Sequence, residues 1–365
     1  MARHIKHLLG LIILINLNAC GSLSYYLEQS IPGHVSLMLK MEEIETLIET
    51  DIDPSLRTKL NTVLHIRDYA SEQLLLPQND SYRYYADIER PFVTWNVTAA
   101  PEFSLQAKTW CYFIIGCASY RGYFNPDDAK IEADKLRAEG LDVSIGEATA
   151  YSTLGFFTDP VLNTMMKWHD YQLAGIIFHE LSHQVLYIKN DTSFNEAFAT
   201  SVQLIGLISW MIQNEPEKLD DYLVSLKRAE QFRALKTMTR TKLKDLYKND
   251  IAEDDRRQQK AAIFDEMKQQ YQELKTEWGA GSYDSWFDKP LNNARLLADA
   301  AYWRHVPAFL ALYFDSQYNW KTFYEKCEQL SELEKQERDK QLEILSKQNI
   351  TLPDVMNLLK KRATI

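Results

Sequence analysis

The stretch Phe178-His179-Glu180-Leu181-Ser182-His183-Gln184 places two histidines four residues apart. On an α-helix that spacing stacks side chains on one face, so both imidazoles can reach a single metal ion. Glu180 sits beside them without being needed as a ligand. The flanks support the helix. Leu173, Ile176, Ile177, Leu181, Val185 and Leu186 recur at three- and four-residue spacing and predict a helix over 170–188. This apolar surround suits a buried metal helix, with few waters and rigidly held side chains. Lys189-Asn190-Asp191 ends it, with a basic side chain at the negative end of the helix dipole.

The chain has eight histidines in 365 residues, so such a match arises by chance often enough to need support. A hydrolytic zinc site takes three protein ligands and keeps one open position. The next predicted helix, capped by Thr192 or Ser193 and running to about 213, begins with Phe194-Asn195-Glu196-Ala197-Phe198-Ala199. A short loop and an antiparallel return would bring Glu196 back to the histidines, which makes it the candidate third ligand. The competing reading of Glu196 is a carboxylate that merely complements the helix dipole. Asp191 is the rival ligand, expected to sit in the turn and face solvent. A continuation with glycine at 186 and histidine at 189 is excluded, because those positions hold Leu186 and Lys189. The expected site is therefore one zinc ion on His179, His183 and Glu196, with Glu180 moving the proton of an attacking water. Tyr302, His305, Tyr151 and Arg121 are the candidate oxyanion donors, with Tyr302 preferred.

Upstream, apolar spacing predicts helices over 34–50 and from the Asp53-Pro54-Ser55 cap to about 75. Aromatic and β-branched runs at 92–97 and 110–115 read as strands. A helix over 126–139 stops at Gly140, and 141–151 reads as a strand with Val143 and Ile145 on one face. Downstream, residues 216–280 alternate charged and apolar positions as a long helical hairpin broken near Asn249-Asp250, and further helices complete the C-terminal half. Repeats and low-complexity linkers are absent, so residues 34–365 read as a single domain. The fold class expected is α+β and predominantly helical: a zincin-like core with a small N-terminal sheet, the motif helix and a helical C-terminal half.

The first nineteen residues stand apart. Arg3 and Lys6 precede an apolar run from Leu8 to Leu17, too short to span a bilayer and matching a secretion signal. Leu17-Asn18-Ala19-Cys20 resembles the bacterial lipobox, which implies lipidation of Cys20 and a tether over 20–33. Gly21 is not the aspartate of inner-membrane retention, so the resemblance implies an outer-membrane lipoprotein facing the periplasm of a Gram-negative cell. Membrane attachment would come from acyl chains. Cys111 and Cys117 could close a small disulfide loop in such a compartment, or all three remaining cysteines, with Cys327, could be buried thiols. A formal charge of −10 and a pI near 5.4 argue against nucleic acid as a partner.

His179-Glu180-Leu181-Ser182-His183 with Asn195-Glu196-Ala197-Phe198-Ala199 resembles the gluzincin clan of zinc peptidases. Further stretches at 95–103, 119–124, 150–155 and 291–296, with the lipobox, resemble a bacterial family of lipoprotein aminopeptidases. The resemblance implies a peptide substrate and cleavage from the amino end. It also implies that an edge strand upstream of the motif helix holds substrate by strand addition, a role that 146–151 would fill, with Ala148 and Ala150 leaving space for the peptide. The Gly-x-Met-Glu-Asn amine-binding motif of well-studied gluzincin aminopeptidases is missing, and Glu102 and Glu147 are the candidate substitutes. The alternatives are an envelope metalloendopeptidase and a non-catalytic metal-binding lipoprotein.

Overall fold

The computed structural model describes residues 25, 29, 31–112, 116–153, 155–297, 303, 305–348 and 350–363. The expected leader, Cys20 and Tyr302 lie outside the described residues. Helices dominate and small sheets accompany them, so the fold is α+β and predominantly helical.

The N-terminal part runs α1 (Ile31–Met38), β1 (Met41–Glu43), α2 (Ile44–Leu47), α3 (Pro54–Glu72), β2 (Tyr84–Ala86) and β3 (Thr94–Pro101). Then come β4 (Trp110–Tyr112), β5 (Gly116–Ala118), β6 (Arg121–Tyr123), α4 (Pro126–Ala138), β7 (Leu141–Ala148) and β8 (Val161–Leu162). The continuous helix expected over 34–50 is instead two helices with a strand between them. Met41–Glu43 pairs antiparallel with Tyr84–Ala86, and Ile44 N donates to Arg83 O. Tertiary pairing here outweighs the helical spacing of the apolar residues. The cap at Asp53 forms as expected, its carboxylate accepting from Ser55 N and Leu56 N with Pro54 in the first turn.

In the sheet ordered β6-β3-β7, β3 and β7 pair antiparallel from Thr94↔Ala148 to Pro101↔Leu141. Helix α4 packs on one face, joining Ala129, Ala133 and Leu136 to Val97, Ala99 and Val143 in a small core. Cys111 and Cys117 form a disulfide across β4 and β5, while Cys327 is a buried free thiol.

The main core is helical. α5 (Asp170–Val185) and α6 (Thr192–Asn214) lie at its centre with α3 on one side and α11 (Val306–Asp315), α12 (Trp320–Ser331), α13 (Lys335–Ser346) and α14 (Leu352–Ala363) on the other. Between them in sequence stand α7 (Leu219–Leu246), α8 (Glu253–Trp278), α9 (Asp284–Phe287) and α10 (Asn293–Leu297). α7 and α8 pack along one another through Phe232, Leu235, Leu243, Phe264, Met267 and Tyr271. Lys260 ties this pair to the β3-β7 sheet, its ammonium 2.6 Å from Asp142 Oδ2 and 2.7 Å from Glu102 O. No helix among the described residues is long and apolar enough to cross a membrane.

Candidate metal centre

His179 and His183 leave the same face of α5, their ring centroids 5.0 Å apart and their planes nearly perpendicular. Both are buried. α5 ends at Val185, three residues earlier than expected, because Leu186 turns to extended backbone. The short connection then reverses the chain into α6. Asn195 secures it from both sides: its Oδ1 accepts from Ile188 N and its Nδ2 donates to Ile188 O, each at 2.8 Å. A fully buried asparagine thus fixes where its neighbour Glu196 begins.

Glu196 Oε2 lies 3.3 Å from His179 Nε2 and 3.8 Å from His183 Nε2. All three ligand atoms fall within 4.8 Å of one another. Two ligands on a tetrahedral zinc, each 2.0–2.1 Å from the ion, stand about 3.4 Å apart, so the spacing fits such an ion. Glu196 Oε2 is buried, and among the described residues its polar neighbours are these two imidazoles. Burying a carboxylate oxygen against two imidazoles is costly, and a cation between them would offset that cost. The donor set and the geometry fit zinc.

Asp191 takes no part in this group. It caps α6 itself, accepting from Phe194 N, in place of Thr192 or Ser193. Nor does it face solvent: Arg338 Nη2 of α13 approaches to 2.7 Å and Lys335 Nζ to 3.1 Å, and both Asp191 and Arg338 are buried. Burial alone would raise its carboxyl, but the two cations outweigh it and hold the pKa below the ordinary value.

Charge is unevenly distributed around the histidines. Burial opposes the imidazolium of His179, yet the hydrogen bond to Glu196 and the charges of Glu180 and Glu196 carry its pKa upward. His183 is pushed down to about 4 by burial and by its charged neighbour His179. Glu180 is raised, first by burial and then by Glu196 and Asp159, with Ser152 hydrogen-bonding to it. Behind it lies a polar knot. Asp159 accepts from Thr153 N, Thr153 Oγ1 and Ser152 Oγ at 2.8–3.1 Å, and Tyr82 N donates to Asp159 O at 2.6 Å.

Of the expected donors, Tyr302 lies outside the described residues. Arg121 stacks its guanidinium over the Tyr25 ring at 4.0 Å. Tyr151 packs edge-on to Phe124, and His305 opens α11. Two other phenols interact electrostatically with Glu196. Tyr120, half open to solvent, has its pKa pushed up to about 12 by burial, then by Glu196 and Glu180. Tyr187 stands edge-on to His183 at 6.3 Å and is raised by burial and Glu196. Neither phenol stands out in sequence from eighteen other tyrosines.

The sequence profile of the family described as "Putative aminopeptidase" matches residues 25–342. The chain belongs to that family. No curated protein and no solved structure matches it. Membership of this aminopeptidase family supports a peptidase function and a peptide substrate at that general level. The candidate amine-binding carboxylates are both engaged. Glu147 accepts two hydrogen bonds from Lys289, at 2.8 and 2.9 Å, and Glu102 is bidentate on Arg257 of α8. Among the described residues β7 carries no strand on its outer side, but Asn292 Nδ2 donates to Val143 O there at 3.0 Å. Ala148 O accepts from Val93 N, and Ala148 and Ala150 pack against the main core.

Proposed function

We propose that the protein is a zinc-dependent peptidase of the cell envelope, built on a zincin-like core, that removes residues from the amino ends of peptides. The observation that carries this reading is the convergence of two imidazole nitrogens on a buried carboxylate oxygen that has no other partner. His179, His183 and Glu196 would hold one zinc ion. Bound there, zinc would supply Lewis acidity toward a substrate carbonyl and make a water at the open position more acidic. Glu180 takes the proton of the attacking water on its carboxylate and returns it to the departing amine. Burial raises its pKa above the ordinary carboxylate value, the direction that favours proton acceptance. The Ser152 hydroxyl lies within hydrogen-bond reach of both that carboxylate and Asp159, and its one proton can be donated to either. Tyr120 and Tyr187 offer O–H donors toward charge that develops on the carbonyl oxygen.

The leader and Leu17-Asn18-Ala19-Cys20 support attachment to the outer membrane through lipid on Cys20, with the site in the periplasm. A second reading, internal cleavage of peptides, is favoured by one observation: Glu102 and Glu147 are both ion-paired and not free for a substrate amine. Metal analysis of the soluble domain, combined with cleavage of peptide libraries bearing free or blocked amino ends, tests the proposal. One zinc per chain with cleavage restricted to free amino ends is the expected result. Cleavage of blocked peptides moves the protein to the second reading. Zinc without cleavage makes it a metal-binding lipoprotein, and no metal sinks both enzymatic readings.

A further inference from the structure

We propose that Gln203 is the positioning residue of the centre, selecting the nitrogen that His179 presents to the metal, and that Gly175 leaves the space Gln203 occupies. The inference rests on the zinc reading above. His179 Nδ1 lies 3.1 Å from Gln203 Oε1. An amide oxygen can only accept, so the proton His179 keeps when a metal binds is the one on Nδ1, and Nε2, 3.3 Å from Glu196 Oε2, is the nitrogen presented to the ion. His183 has no equivalent support among the described residues, where its buried Nδ1 meets no hydrogen-bond partner. The bond to Gln203 thus orients one ring of the pair.

The two helices are matched for this contact. Gln203 stands seven residues beyond Glu196 on α6, two turns along the same face. One helix thus supplies both a ligand and the group that orients another ligand. Gly175 stands four residues before His179, one turn along α5. A Cβ there would lie 3.2 Å from Gln203 Nε2 and 3.3 Å from Leu207 Cδ2. Glycine in the middle of a helix is destabilising relative to alanine, and the helical backbone at Gly175 does not require it. The near contact with Gln203 gives glycine a reason to be there. The acceptor is also a neutral amide, not a carboxylate. It orients the imidazole while adding less to its basicity than an anion would.

The test is zinc affinity of the full chain, measured by competition with a chromophoric chelator, together with the melting temperature of the metal-free protein. Gln203→Met, similar in volume but without an acceptor, is expected to weaken zinc about 10–100-fold. Gln203→Glu restores affinity to the wild-type level or beyond. Gly175→Ala weakens zinc while the metal-free protein melts at the same temperature or higher, a split that plain structural damage does not produce. The double variant Gly175→Ala/Gln203→Met binds zinc as Gln203→Met does, because the alanine acts through the amide. Wild-type protein that binds no zinc would overturn the metal reading itself. Tight zinc binding by wild type and Gln203→Met alike would overturn the role of Gln203 alone, and additive losses in the double variant would overturn the role of Gly175.

Discussion

Replacing Arg338 by methionine should damage a metal centre that Arg338 never touches. The guanidinium is 2.7 Å from Asp191 Oδ2, and the two side chains are only 5% and 4% exposed. Removing one member of a buried ion pair leaves the other charge uncompensated, at about 3–5 kcal/mol. Lys335 stays within 3.1 Å of Asp191 but is itself half exposed, which favours the lower end. Against that, Arg338 also donates to Leu333 O and Ser331 O and lies over the Phe194 ring. A loss of about 3 kcal/mol lowers the melting temperature by roughly 6 °C, at about 2 °C per kcal/mol for a large domain. The loss should also depend on pH. Asp191 titrates below the ordinary value in the folded protein, so its contribution is complete above the unfolded pKa and disappears as pH falls through the folded one. The gap between wild type and Arg338→Met should therefore hold at pH 7 and narrow below the ordinary aspartate pKa of 3.8. Because Asp191 caps the helix that carries Glu196 near its start, zinc affinity should fall as well. Thermal melts of metal-free protein from pH 3 to 7, with zinc titrations at neutral pH, measure all three. Equal melting temperatures at pH 7, or a gap that does not change with pH, would refute the assignment of Asp191 as an ionised, buried cap.

Three further outcomes are expected. Glu180→Gln should keep zinc and lose activity by about 10²–10⁴-fold, the usual worth of a positioned acid–base group; a variant as fast as wild type would rule out the proton role. Tyr120→Phe should lower kcat by about 10²–10³-fold with KM little changed, as for loss of one oxyanion donor, whereas a purely raised KM would assign Tyr120 to substrate binding. Cys20→Ser should release the protein from the membrane fraction to the soluble periplasm, checked by fractionation and by metabolic labelling with a fatty acid.

The parts of this fold that can be read in sequence are those whose causes are local. Asp53-Pro54 caps α3, Gly140 ends the segment after α4 with φ of 82°, and the three- and four-residue spacing around His179 marks α5. The failures have distant causes. β1 exists because residues 41–43 meet residues 84–86, and neither stretch announces the other. Asp191 looked like a solvent-facing turn residue because its partners lie more than 140 residues downstream, on a helix with no chemistry of its own. The site divides in the same way. Helical spacing puts His179 and His183 on one face, and Glu196 follows after a short loop, so their convergence is legible as an expectation. Tyr120 and Gln203 approach it only through tertiary packing, and sequence distinguishes neither from its neighbours of the same type.

This places the discriminating information on the second helix, not on the motif. Two histidines at helical spacing face the same way in any helix, so their stacking in α5 says little about metal. α6 must be set in rotation, along its axis and at its start for Glu196 to reach them. Separate contacts fix these: Asn195 holds the loop at Ile188, Asp191 is pinned by Arg338, and Gln203 meets His179 two turns on. A helix serving only as core packing would need an apolar stripe and nothing more. Loss of any of these contacts should lower zinc affinity before it unfolds the chain, since the apolar face of α6 remains buried against α5 and α11. That ordering, metal lost before fold, is what distinguishes a built centre from a fortuitous cluster of histidines.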